Sequence, residues 1–107
     1  MANPWRGEVL LHLDGEPRVC KLTLGTLAEL EAELGEGSIL TLVTRFEAGR
    51  FSARDVLAVV IAGLRGGGWS GTLAELRTAE IGGGVAGAAG AAAQLLARAF
   101  ALPPAGE

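Results

Sequence analysis

The stretch Ser-Ala-Arg-Asp-Val-Leu-Ala-Val-Val-Ile-Ala-Gly-Leu-Arg-Gly-Gly-Gly, residues 52–68, decides the fold of this chain. Ser52 followed by Asp55 is typical of a helix N-terminus, where a hydroxyl accepts a backbone hydrogen bond and an acid meets the positive end of the helix dipole. Over residues 53–64 the apolar side chains nearly encircle the predicted helix. We therefore predict a helix here, the third along the chain, and place it at the centre of the core. The glycines from Gly66 onward end this helix.

Upstream of residue 52, caps and apolar spacing indicate two further helices. Thr26-Leu27-Ala28-Glu29 is a capping box that opens the first helix, and Gly35 and Gly37 end it. Ser38 opens the second helix. Downstream, Thr72 opens a short fourth helix in the same way, within a six-letter string, Gly-Thr-Leu-Ala-Glu-Leu, that also occurs at residues 25–30.

Nearer the N-terminus the apolar residues recur at every second position, which is typical of strands. Val9, Leu11 and Leu13 share one face, and a second alternating run covers residues 18–23. Between the two runs, Asp14-Gly15 suits a tight turn because both residues tolerate backbone with positive φ. The sequence predicts a β-hairpin. Since two strands alone are only marginally stable in water, the hairpin must lie on the helices or pair with another chain.

The C-terminal part is rich in alanine and glycine. We predict a fifth helix from about Val85 to Ala101, ended by two prolines, with small residues that permit close approach to a neighbouring helix. Together the segments predict a single α+β domain over residues 1–107. In it an N-terminal β-hairpin (about 6–23) packs on a bundle of four to five helices (about 26–102), and residues 103–107 form a frayed tail.

Composition argues against several classes of function. The 107 residues carry 9 basic and 12 acidic side chains, and this net charge of −3 is unlike that of a dedicated nucleic-acid binder. The longest uncharged run, residues 81–97, is too short and too poor in large apolar residues for a membrane span. The first six residues lack the apolar run of a signal peptide. We expect a cytoplasmic protein without direct nucleic-acid or membrane binding.

The chemistry-bearing residues form no catalytic or metal-binding constellation. Cys20 and His12 are the only cysteine and histidine, so a zinc site is excluded. A Cys–His dyad lacks an orienting third residue, and we interpret Cys20 as a small apolar core residue. Residues 82–87 match G-x-G-x-x-G formally, but the segment before them is predicted to be helical rather than a buried parallel strand. We therefore expect no enzyme activity, no cofactor and no metal.

We also interpret two clusters of charged residues as surfaces that bind no ligand. The acidic stripe Glu29, Glu33 and Glu36 is read as a solvated helix face, because no second set of oxygen ligands accompanies it. The arginines at positions 45, 50 and 54 are offset by Glu47 and Asp55. That cluster is too small and too mixed for a phosphate-binding patch.

Candidate partner-contact residues fall into two groups. Trp5 and Trp69 lie in Pro- or Gly-flanked stretches and act either as interface anchors or as caps on the edge of the core. The final helix is either tightly packed or able to move aside, so that a partner's helix takes its place against the third helix. The residues concerned are Val56, Val60, Leu64, Leu95, Leu96 and Phe100.

The order of the segments resembles a known family. The matching pieces are Arg6-Gly7-Glu8-Val9, the Asp14-Gly15 turn, residues 22–31 and 35–38, and residues 51–56 before an apolar helix that ends in three glycines. They resemble the phage-derived gene transfer agent tail protein family of alphaproteobacteria, over roughly residues 6–102. That family has no catalytic motif, so the resemblance assigns no site residue.

The resemblance implies a function in the tail of a phage-like particle. A tail assembly chaperone would keep the apolar helices of the tape-measure protein soluble while tail tube subunits polymerise around it; a tube subunit would build the ring itself. Because a ring wall needs a substantial β-sheet and this sequence predicts one hairpin, the chaperone is favoured. The implied partners are the tape-measure and tail tube proteins, and self-association is left open. Two functions outside the tail stay open as well: a small adaptor or regulator, and a Cys–His enzyme.

Overall fold

The computed structural model of the chain describes residues 7–34 and 39–100. Within these ranges the chain forms a two-stranded antiparallel sheet followed by five α-helices, which confirms the predicted α+β fold. In chain order the elements are β1 (Glu8–Leu13), β2 (Glu16–Lys21), α1 (Leu24–Leu34), α2 (Ile39–Glu47), α3 (Ala53–Gly66), α4 (Leu73–Thr78) and α5 (Gly84–Ala99).

The hairpin has the predicted turn. β1 and β2 pair in register from Glu8 opposite Lys21 to Leu13 opposite Glu16, so that two residues connect the strands. Asp14 and Gly15 form the connection with φ values of 52° and 80°. Two consecutive left-handed residues match the right-handed twist of the strands. The inner face of the sheet is buried and consists of Val9, Leu11, Leu13 and Cys20.

The extended segment before α5 is tied to the hairpin. Ile81 forms an antiparallel bridge with Leu13, and the Gly82 N–H donates to the His12 carbonyl oxygen at 2.9 Å. The Asp14 N–H donates to the Glu80 carbonyl oxygen at 2.7 Å, and the Glu80 N–H donates to Asp14 Oδ1 at 2.8 Å. The expectation that a helix immediately precedes the glycines of residues 82–84 was therefore wrong. Pairing with β1 overrides the local helical pattern there.

Helix α3 is the central element, as predicted. It packs against α1, α4, α5 and β2. Val59, Val60 and Leu64 are at most 1% exposed. Its C-terminal end lies directly on the sheet, since a Cβ atom placed on Gly66 would come 1.8 Å from the Lys21 carbonyl oxygen. Only glycine fits at this contact.

Helix α1 begins one turn earlier than its sequence predicted. Thr23 precedes the helix, and its Oγ1 accepts a hydrogen bond from the Thr26 N–H at 3.1 Å. Thr26 Oγ1 in turn accepts from the Thr23 N–H at 2.8 Å. The capping box predicted at Thr26 and Glu29 was wrong because Thr23, three residues earlier, offers a second hydroxyl. In the identical string at residues 71–76 no such residue competes, and Thr72 and Glu75 form the predicted box.

Helix α5 lies on α3 through small residues. Its buried side chains are Ala88, Ala91, Ala92, Leu95 and Leu96. The helix begins after Gly83 and includes Gly84, whose φ values are 82° and 64°, and no side chain caps it. The predictions for Trp5, for the glycines and serine at 35–38, and for the tail at 103–107 lie outside the described residues.

Candidate functional site

A largely apolar depression runs between the first turns of α3 and α5. It has a volume of about 350 Å³. We call it the apolar groove; it is lined by Ala53, Val56, Leu57, Ala79, Ile81, Gly84, Val85 and Ala88. Leu57 and Ile81 are half-buried, and Val85 is 85% exposed. Accessible apolar area of this kind, held on rigid helices, suits the apolar face of a partner.

The apolar groove exists because α4 is too short to cover α3. Leu57 belongs to the nearly encircling apolar set of the third helix, and the sequence therefore placed it in the core. α4 spans only Leu73–Thr78 and buries only Leu76 fully. The chain then turns away to pair Ile81 with Leu13, which leaves Leu57 partly uncovered. The sequence did carry a signal for this groove: α3 has apolar residues on most sides, and the helix that follows it is very short.

A second depression adjoins the first and has charged sides. Its larger part has a volume of about 550 Å³, and it shares Ala53 and Leu57 with the apolar groove. We call it the charged groove. Its apolar lining consists of Leu57, Ala58 and Ile61 of α3 and Leu73 of α4. Its charged lining consists of Glu29 and Glu33 of α1, Arg54 and Arg65 on the same face of α3, and Arg77 of α4.

Most of the predicted partner-contact residues are interior. Val60, Leu64, Leu95 and Leu96 lie in the core. A partner could contact them only after the packed helices rearrange. Val56 is also buried but contributes to the wall of the apolar groove. The structure therefore offers an apolar surface without displacement of α5, which the sequence reasoning did not foresee.

The remaining two described candidates lie at helix ends. Phe100 follows α5 and is 37% exposed. Trp69 follows α3. Its backbone N–H donates to the Leu64 carbonyl oxygen at 2.9 Å, and its half-buried ring packs against the core. A Cβ on Gly71 would come 2.1 Å from that ring. This placement fits a Trp69 that caps the edge of the core.

A partly buried ion pair links the end of α2 to the start of α3. Arg45, in the last turn of α2, donates from Nε to Asp55 Oδ2 at 3.2 Å and from Nη2 to Asp55 Oδ1 at 3.1 Å. Asp55 Oδ2 also accepts from the Ser52 N–H at 2.9 Å, in the predicted capping box. Burial alone would raise the pKa of Asp55, but these hydrogen bonds and the Arg45 charge outweigh it and lower the pKa. The pair therefore ties the end of α2 to the first turn of α3.

Cys20 lies in the core rather than in a reactive site. Its side chain is fully buried, and burial raises the pKa of the thiol to about 11. His12 is exposed, and its position on β1 is opposite Pro17 rather than Cys20. A nucleophilic cysteine needs a lowered pKa, so this geometry counts against the dyad. The interpretation of Cys20 as a core residue is confirmed.

The glycine string at residues 82–87 is used for a tight turn. Gly83 and Gly84 are left-handed, and a Cβ on Gly87 would come 2.2 Å from the Gly82 carbonyl oxygen. A Cβ on Gly82 would likewise come 2.9 Å from the His12 Cβ. The glycines therefore permit close backbone packing at the start of α5.

Among the described residues, no group of three or more Asp, Glu, His or Cys side chains is arranged to hold a metal ion. In ranges 7–34 and 39–100, none of the helices has the length and apolar character needed to cross a bilayer.

Comparison with known proteins identifies the family. The family model described as phage tail tube protein, GTA-gp10, matches residues 6–102. No curated protein and no solved structure gives a significant match. The match covers nearly the whole chain, so the chain belongs to this gene transfer agent tail protein family, and the resemblance drawn from segment order is confirmed.

Proposed function

We propose that this member of the GTA-gp10 family is a tail assembly chaperone that binds the tape-measure protein in the cytoplasm before the tail is complete. It acts without catalysis, by covering apolar helices of its client. Tail tube subunits are its second class of partner, because polymerisation of the tube around the tape-measure protein displaces the chaperone. Family membership supports the tail-associated part of this proposal.

The observation that carries the chaperone proposal is the apolar groove. A chaperone must bind apolar helices reversibly, so it needs apolar area that stays accessible in its own folded state. Leu57, Ile81 and Val85 provide such area between two helix ends. The surrounding elements are anchored by the Arg45–Asp55 pair and by the bridge from Ile81 to Leu13, so the groove is formed before the client arrives.

The family description favours a second candidate, a subunit of the tail tube. A ring wall is a closed β-structure that needs several paired strands in each subunit. The described ranges contain one two-stranded sheet. The outer edge of β1 is partly occupied at its C-terminal end, where residues 80–82 bind it. These features support the chaperone over the tube subunit.

Co-expression with the tape-measure protein tests the proposal. We expect the wild-type chain to raise the soluble fraction of the tape-measure protein and to co-purify with it. Val85→Glu should weaken this binding about tenfold, the effect of losing roughly 1.4 kcal/mol of contact. Leu24→Glu is the matched control, because Leu24 is also 85% exposed, lies in the first turn of a helix and is outside the groove.

The possible outcomes separate the candidates. Equal binding by Val85→Glu and Leu24→Glu would exclude the apolar groove as the client site. A tape-measure protein that stays insoluble in the presence of the wild-type chain would exclude the chaperone. Recovery of the chain in stoichiometric amounts from purified tails would support the tube subunit instead. Both substitutions place an acid in the first turn of a helix, so neither should destabilise the fold.

A further inference from the structure

The turn of the hairpin is bonded to a segment far along the chain, residues 79–82, which we call the connector. The Glu80 N–H donates to Asp14 Oδ1 at 2.8 Å, and the Asp14 N–H donates to the Glu80 carbonyl oxygen at 2.7 Å, although the two residues are 66 positions apart. Beside this pair, the Gly82 N–H donates to the His12 carbonyl oxygen at 2.9 Å. In the ranges described, the hydrogen bonds that the connector makes beyond the two helices it joins all end on His12 or Asp14.

The connector forms one wall of the apolar groove. Ala79 and Ile81 line the groove, and so does Val85 in the first turn of the helix that follows. That helix begins on two left-handed glycines, and no side chain caps it. The position of this wall therefore depends on the bonds between the connector and the hairpin.

The sequence of the connector favours a different conformation. Residues 73–81, Leu-Ala-Glu-Leu-Arg-Thr-Ala-Glu-Ile, contain neither glycine nor proline and consist mostly of good helix formers. α4 nevertheless ends at Thr78, and Ala79 is extended, with φ −73° and ψ 150°. A helix that continued through Glu80 would take the Glu80 N–H away from the hairpin and break the bridge that Ile81 forms there. The bonds to the hairpin hold the connector against this alternative.

The side chain of Asp14 contributes more than the turn needs. Asp14 is the one non-glycine residue in the described ranges with positive φ, 52°. Aspartate, asparagine and glycine all suit the first position of such a turn, so the turn by itself requires no carboxylate. The carboxylate accepts the Glu80 N–H, and hydrogen bonds to an ionised acceptor are stronger than neutral ones. It is the connector, rather than the turn, that uses the charge.

We infer that Asp14 is a positioning residue for the apolar groove: its carboxylate holds the connector extended, so that Ile81 and Val85 stand where the apolar helix of a client binds. Asp14 does not line the groove, so it acts on the client only through the connector. The part of this inference that concerns the client rests on the proposed function. The placement of the groove wall by Asp14 does not.

Asp14→Gly tests the inference, because it removes the carboxylate and leaves a residue that suits the turn. Loss of a hydrogen bond to a charged group should make amide exchange at Gly82 about tenfold faster than in wild type. The backbone Cα chemical shifts of residues 79–81 should move toward helical values, and the methyl shifts of Ile81 should change. Binding to the tape-measure protein should weaken about threefold, because fewer molecules have the wall in place.

Two variants serve as controls. Glu16→Ala removes an exposed carboxylate from the other side of the same turn, with the same change in net charge, and should leave Gly82 exchange and client binding at their wild-type values. Asp14→Asn keeps a side-chain oxygen that accepts from the Glu80 N–H, so it should recover most of the lost protection. Thermal melts show that each variant is folded, and Asp14→Asn keeps the comparison open if Asp14→Gly does not fold.

The outcomes separate this inference from the proposed function. Unchanged Gly82 exchange and unchanged shifts at residues 79–81 in Asp14→Gly would overturn the inference, even if the thermal stability falls, since Asp14 would then be only a turn residue. Equal effects of Glu16→Ala would overturn it too. So would altered shifts with full client binding, where Val85→Glu weakens that binding. If Val85→Glu leaves client binding unchanged, the proposed client site is wrong, and the exchange and shift data alone decide whether Asp14 positions the wall.

Discussion

Helices α3 and α5 lie against each other but are built by opposite means. α3 buries large branched side chains over more than half of its circumference and begins at a complete capping box with a partly buried ion pair. α5 presents alanines, begins on left-handed glycines and has no side-chain cap. α3 is stabilised by burial of large apolar side chains, whereas the small residues of α5 let it pack closely on its neighbours. This difference indicates that α3 contributes most to the stability of the fold, and that apolar surface stays accessible to partners beside the first turn of α5.

Glycine-to-alanine substitutions in α3 are expected to have the largest effects on the free energy of unfolding. Gly66→Ala, at the end of α3, would place a Cβ 1.8 Å from the Lys21 carbonyl oxygen, so backbone must move. We expect a loss of about 3 kcal/mol or more in the free energy of unfolding, measured in urea. Gly63→Ala should cost less, because its Cβ would meet the movable end of the Leu95 side chain at 2.5 Å. A loss at Gly63 as large as that at Gly66 would contradict this contact pattern.

Side-chain truncation in α3 is the next largest effect. Val60 is 1% exposed at the centre of the core. Val60→Ala should lower the free energy of unfolding by about 2 kcal/mol through lost burial and a residual cavity. Glu33→Ala, on the exposed side of α1, should change it by less than about 0.5 kcal/mol. Equal losses in denaturant melts would mean that α3 is not oriented as described.

The N-terminal ends of the two helices differ in pH dependence. The pKa of Asp55 is lowered in the folded state, so its contribution is present above the ordinary aspartate pKa of about 3.9 and is lost as the pH falls through the lowered value. Asp55→Asn loses that contribution at every pH. We expect the variant to be less stable by about 1–2 kcal/mol at pH 7 and to converge with wild type in strong acid.

Ser52→Ala controls for the neutral part of the same cap. It removes the hydroxyl that accepts from the Asp55 N–H at 3.1 Å and should cost about 1 kcal/mol with little dependence on pH. Urea melts across the acid range give both curves. A constant gap between wild type and Asp55→Asn at all pH values would show that the charge of Asp55 contributes nothing.

Local patterns predicted much of this fold. The Asp14-Gly15 turn, the buried face of β1, the Ser52 and Thr72 caps and the central position of α3 all follow from rules that act within a few residues. Where two local signals competed, the wrong one was chosen. Thr23 and Thr26 both offer a hydroxyl, and the prediction took the one with a glutamate three residues on.

The candidate site was harder to predict because it arises from packing between distant segments. Periodicity cannot show that α4 is too short to cover Leu57, or that residue 81 leaves the helical layer to pair with β1. The interpretation of the arginines around residue 50 as a mixed cluster offset by Asp55 agrees with the Arg45–Asp55 pair, but periodicity did not show that these two side chains meet across ten residues. For the same reason, five of the apolar residues proposed for partner contact lie in the core.

The smallest predicted effect has the opposite sign and belongs to α5. Gly90 lies in the middle of the helix, and a Cβ there would meet no atom within 4 Å. Gly90→Ala should therefore raise the free energy of unfolding by about 0.5–1 kcal/mol, since alanine restricts the unfolded chain and favours helix. If α5 also opens locally, the same substitution should slow amide exchange over residues 88–96.

Hydrogen exchange then decides between a mobile and a tightly packed α5. The large buried contacts of α5 are Leu95 and Leu96, whereas its first turn buries only Ala88 and has no side-chain cap. We expect protection close to that of residues 59–62 around Leu95 and several orders of magnitude less around Ala88, the first buried residue of α5. Uniform protection along α5, equal to that of α3, would remove any movement of this helix from the binding mechanism. It would leave the preformed apolar groove as the client site.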